Sequence, residues 1–91
     1  YDYRVLRHSG AIIHAPGTIG VISDRKDGCK FRVKSWTDRP YYVLVNRLTR
    51  QPQIKINRQL VAIASPHQFL QDGGNLILQV QGEAEVEITI R

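Results

Sequence analysis

Glu83, Glu85 and Glu87 occupy alternate positions near the end of a 91-residue chain, and Lys30, Arg32 and Lys34 repeat that spacing within the stretch CKFRVKSW. Alternate residues of a strand lie about 6.6 Å apart on one face. At such distances two carboxylates can serve glycoside hydrolysis, provided that one is shielded and its pKa raised. Three glutamates in a row on an outward face are not shielded, so a solvated stripe is expected. The cations pose a matching question. With Arg39, Trp36 and Tyr41 or Tyr42 nearby, Lys30, Arg32 and Lys34 could form a basic patch with stacking side chains, suited to single-stranded nucleic acid or an anionic glycan. On neighbouring strands the two stripes would instead pair across the ladder, each opposite-charge pair contributing roughly 0.2–1 kcal/mol.

The remaining reactive residue types point to structure. Cys29 alternates with Phe31 and Val33, which places its thiol on the apolar face as a small buried hydrophobe, without the exposed, electropositive setting that a nucleophilic thiolate needs. His8, His14 and His67 lie on three segments and lack the spacing of a zinc site. Asp24 and Asp27 in DRKDG lack the alternating oxygens and terminal glutamate of a calcium loop. Gly17, Gly20, Gly73 and Gly74 do not make a phosphate-binding loop. No catalytic residue, metal ligand or cofactor is expected.

Charge is unevenly placed along the chain, whose net value is +5. Residues 1–60 are strongly basic, whereas the remainder holds Arg91 against Asp72, Glu83, Glu85 and Glu87. A basic half can attract a polyanion. Two oppositely charged strands lying side by side give the same distribution.

Period-two alternation runs through nearly the whole sequence, and no helix is evident. Strands are expected at 3–5, 11–15, 18–23, 29–36, 41–46, 53–56, 60–64, 76–80 and 84–90. Breakers separate them: Pro16-Gly17, DRKDG at 24–28, Asp38-Arg39-Pro40, Ser65-Pro66 and Asp72-Gly73-Gly74. YYVLVN at 41–46 is apolar at both parities, as in a central strand covered on both faces. PHQFLQ could hold one helical turn. LILQV and AEVEITI read as a hairpin around Gln81-Gly82. The fold class expected is an all-β antiparallel sandwich, immunoglobulin-like or similar, with about eight short strands in a single domain, residues 1–91. A small barrel is the alternative.

No apolar run approaches the roughly 20 residues that span a bilayer, and no signal peptide is visible. A membrane partner is therefore not expected. The sequence contains no methionine and begins at Tyr1, so a piece of a longer protein is the leading expectation.

YYVLVNRL, PQIKINRQLV and GNLILQVQGEAEVEI together resemble the C-terminal accessory β-sandwich domains of glycoside hydrolases and related polysaccharide-active enzymes, over about residues 40–91. At the turn where those domains usually carry Asn-Gly, this chain has Asn57-Arg58. Arg58 tolerates positive φ only at a cost, which predicts a longer loop, Asn57-Arg58-Gln59. The resemblance implies a non-catalytic accessory or interaction domain whose partner is the catalytic domain of the same chain or a polysaccharide. The alternative is an autonomous basic module that binds nucleic acid or another polyanion.

Overall fold

The alternation becomes strand pairing along almost the entire chain. The computed structural model describes residues 2–90. Among them are ten strands: β1 (Asp2–Val5), β2 (Ile12–Ala15), β3 (Gly17–Arg25), β4 (Gly28–Ser35), β5 (Tyr41–Asn46), β6 (Gln53–Ile56), β7 (Gln59–Val61), β8 (Gln68–Leu70), β9 (Asn75–Val80) and β10 (Glu83–Thr89). They form two five-stranded antiparallel sheets packed as a sandwich. The first has the order β1-β2-β5-β9-β8, the second β3-β4-β10-β6-β7.

Inward positions of the two sheets meet in one core. Ile13, Val43, Val45, Leu76 and Leu78 from the first face Cys29, Phe31, Val33, Ile54, Val86 and Ile88 from the second, all fully buried. Burying each Val, Leu, Ile or Phe side chain contributes roughly 1.5–3 kcal/mol. Cys29 belongs to this set. Burial, aided by the Asp24 charge, pushes its thiol up to about 12, so it stays protonated and chemically quiet at neutral pH.

The chain switches sheets repeatedly, and polar contacts fasten the switches. Ala15 ends β2 and Gly17 begins β3, so Pro16 alone carries the chain across. Asp24 of β3 accepts hydrogen bonds from the backbone N–H groups of His8 and Ser9 in the β1–β2 loop, both at 2.8 Å. Burial pushes the Asp24 pKa up, but these donors outweigh it and hold the carboxyl below its ordinary value. The stretch around Gln81-Gly82 is another crossing and not a hairpin. β9 pairs with β5 and β8, β10 with β4 and β6. Two bonds hold this crossing against the start of β5 and the connection before it: Tyr41 Oη donates to Gly82 O at 2.7 Å, and Gln81 Nε2 donates to Asp38 O at 2.7 Å.

Three other local readings also change. Residues 68–70 of PHQFLQ form edge strand β8, because Phe69 pairs with Leu76 and packs on the core. The return arm expected over 60–64 is the three-residue β7. The turn before it is tight: Asn57 and Arg58 both have positive φ, 52° and 68°, and Gln59 already belongs to β7. Asn57 is pinned from the side, donating its N–H to Glu85 O at 2.8 Å and accepting Glu85 N–H on Oδ1 at 2.9 Å. That anchorage overrides the conformational preference of Arg58.

Positive φ at Gly74 and Arg58 makes stability respond in opposite senses to substitution at the two positions. Gly74 has φ +63°, and a Cβ there would collide with the Leu48 carbonyl. Gly74→Ala is therefore expected to cost on the order of 3 kcal/mol in denaturant unfolding. A cost below about 1 kcal/mol would show that the loop shifts freely. Arg58 pays for its left-handed backbone without a packing return, being 82% exposed in its side chain. Arg58→Gly should thus stabilise the domain by about 0.5–1 kcal/mol, a Tm increase of a few degrees; a lower Tm would mean that its ion pair with Glu85 outweighs the backbone strain.

Candidate functional site

The register between β4 and β10 decides what the two charged stripes do. Lys34 lies opposite Glu83, Arg32 opposite Glu85 and Lys30 opposite Glu87. Phe31 and Val33 lie opposite Val86 and Ala84 on the other side of the same ladder. The stripes are thus neighbours on the outer face of the second sheet.

Glu85 is the centre of this face. Its side chain is only 10% exposed, and three cations converge on it: Arg32 Nη2 at 3.2 Å, Lys30 Nζ at 3.6 Å and Arg58 Nε at 3.6 Å. Burial pushes its pKa up. The Arg32 hydrogen bond and the charges of Lys30 and Arg58 outweigh that effect, so the carboxyl sits below its ordinary value of 4.5. Glu87 is reached by Arg25 Nη2 at 3.9 Å, and Arg25 also contacts Asp27. A general acid for glycoside hydrolysis needs its proton at working pH. Glu85, held ionised, is arranged in the opposite sense.

The other residues singled out from the sequence are dispersed. Trp36 is 72% exposed in the connection that follows β4, and Arg39 is exposed in the same connection. Tyr41 does not flank them, because it points into the core at 6% exposure, where burial pushes its phenol pKa up. The outward tyrosine is Tyr42, 57% exposed, on the outer face of the first sheet. Of the aromatic residues near CKFRVKSW, Trp36 is thus exposed in the connection between the two sheets, Tyr42 is exposed on the outer face of the first, and Tyr41 is withdrawn from the surface. Among the described residues, no group of three or more His, Cys, Asp or Glu side chains is arranged to hold a metal ion. No helix among them is long and apolar enough to cross a membrane.

No family model, curated protein or solved structure matches this chain.

A second outer face, on the first sheet, contrasts with the charged ladder. Its strands turn Tyr3, Ile12, His14, Tyr42, Leu44 and Ile77 outward. The Tyr3 and His14 rings stack at a centroid distance of 6.0 Å. The sequence signal for this face was the apolar character of β5 at both parities, with Ile12 and Ile77 at outward positions of β2 and β9. The covering that such a strand implies lies on one side only in this fold.

Glu85→Gln should lower the Tm by several degrees at pH 7, because Lys30, Arg32 and Arg58 lose their common counter-charge. Since the folded pKa of Glu85 is depressed, its contribution is fully present above 4.5 and is lost as the pH falls through the lower folded value. The gap between parent and variant should therefore close in acid. A gap independent of pH in thermal melts would show that the carboxylate charge is not what matters. Glu83→Gln, at an exposed position, should stay within about 0.5 kcal/mol of the parent.

Proposed function

We propose that this chain is a non-catalytic accessory domain of a larger protein, and that the larger protein is a carbohydrate-active enzyme. The observation that supports the non-catalytic part is the β4–β10 ladder. It sets the carboxylates that could have done glycosidic chemistry against the cations that could have gripped a polyanion. Glu85 is held ionised, so it is unsuited to donate a proton. Lys30 and Arg32 are engaged at its oxygens, and Lys34 has Glu83 as its cross-strand neighbour. These charges stabilise a sheet, and the polyanion-binding reading loses the row of free cations on which it rested.

The carbohydrate-active part rests on the resemblance of residues 40–91 to accessory sandwich domains. In this reading β5, the β6–β7 hairpin and the strands β9 and β10, one in each sheet, are the shared framework, and the partner is the catalytic domain of the same chain.

The test is the size of the native protein that carries these residues, read by blotting an extract of its source with an antibody raised against the 91-residue chain. A band several times heavier than the 10.4 kDa of this chain is the expected outcome. Deleting the segment from that protein should then leave turnover of a soluble glycoside intact. A band near 10 kDa, or loss of turnover from an enzyme that remains folded, would overturn the proposal.

A further inference from the structure

Strands covered on both faces read as continuous apolar runs, whereas strands with one wet face alternate. β5, YYVLVN, has a sequence of the first kind, and β2 and β9, IIHA and NLILQV, each carry an isoleucine at an outward position. The sandwich covers only one side of them. Ile13, Val43, Val45, Leu76 and Leu78 enter the core, which leaves Ile12, Leu44 and Ile77 in the middle of the open side. Tyr42 and Tyr3, 57% and 59% exposed, stand beside them, and Val5 and Leu70 carry apolar surface out to the two edge strands.

The surround is polar but uncharged. Asn46, Gln68, Asn75 and Gln79 occupy the other outward positions of the middle and far strands, with Asn46 Nδ2 donating to Asn75 Oδ1 at 2.6 Å. None of the outward positions of the five strands is Lys, Arg, Asp or Glu, although 23% of the chain is charged. Depletion of charge with enrichment of aromatic residues is the composition of the centre of a protein interface. A contiguous exposed apolar patch marks a site of interaction.

We infer that the outer face of the first sheet is a docking surface for a neighbouring folded domain of the same chain. The inference rests on the accessory-domain reading and specifies which surface makes the contact. Two arguments identify the occupant. The first is charge: a cation or anion pressed onto this face would lose hydration and find no counter-charge, so the partner presents an uncharged, apolar surface. The second is size. Strand spacing and length give the face a projected area of roughly 350 Å². That suits contacts between domains of one chain, about 600–1,500 Å² counted over both sides. It falls short of the roughly 800 Å² per partner of an independent complex. A tether supplies an effective concentration in the millimolar range, which keeps so small a contact closed. Two free copies lack that advantage.

Hydroxyl-radical footprinting of the native protein, compared with the 91-residue domain and its self-contained core, tests the assignment. Tyr3 and Tyr42 should oxidise at least about fivefold more slowly in the native protein, while Trp36, on the β4–β5 connection, should change less than about twofold. Leu44→Lys in the native protein should restore Tyr42 oxidation to the isolated-domain rate and leave Trp36 unchanged, since an unpaired lysine opens the contact. Equal tyrosine rates in a larger native protein would overturn the docking surface and leave the accessory-domain reading standing. A native protein of about 10 kDa would overturn both. Protection that grows with the concentration of the isolated domain, or that appears only when a neutral polysaccharide is added, would overturn the choice of occupant.

Discussion

The antiparallel register between β4 and β10 is the constraint on which the rest of this domain depends. Because side chains alternate at period two, one pairing sets both faces at once. With Arg32 opposite Glu85, Phe31 must lie opposite Val86. A slip of one residue would bring Arg32 to the same side of the sheet as Val86 and Phe31 to the same side as Glu85, so that each face would mix charged with apolar side chains. Each exposed ion pair is individually weak. Their value here lies in agreement with the hydrophobic pattern, so that the correct register is favoured on both sides of the ladder and its alternatives on neither. β10 passes the register on to β6 by opposing Ile88 to Ile54 and Val86 to Ile56, and Glu85 then fixes the turn at Asn57.

The two sheets divide the work of the surface between them. The second sheet ends in a charged outer layer whose partners are intramolecular, with Arg25, Lys30, Arg32 and Arg58 reaching Glu85 or Glu87. The first sheet ends in a layer with no fixed charge. A row of cations and a row of anions is visible in a sequence, whereas a surface defined by lacking them is not. The more informative face for function is accordingly the one that offers fewer reactive side chains.

How legible the molecule was in its sequence differs from element to element. The sandwich class followed from alternation and spaced breakers, since the inward residues of β4, β5, β6, β9 and β10 are a direct image of period two. The relation of the stripes was legible as a choice between two arrangements, and only the long-range pairing could decide it. The Gln81-Gly82 connection misled because a glycine between two alternating runs looks the same in a hairpin and in a passage between sheets. What separates the cases is the identity of β10's partners, β4 and β6, which are distant in sequence. The Asn57-Arg58 turn misled because local propensity was judged without the bonds from Glu85. For Tyr41 and Tyr42, alternation showed that one of the two is inward, and the choice fell to Tyr41 through its bond to Gly82. β8 gave no signal in a three-residue strand with one inward side chain.

The central place of the last strand also has a temporal side. β10 lies between β4 and β6, and a chain emerging from the ribosome reaches it only after the nine strands before it. Until then β4 and β6 each present an unpaired edge with apolar residues beside it, the condition in which strands recruit the wrong partner. The middle of the second sheet cannot close by local steps, because its two halves must wait for a strand from far along the sequence. A chain cut short before Glu83 would hence lose more than seven residues of sheet. It would keep two open edges for its lifetime, and aggregation would compete with any residual folding of the first sheet.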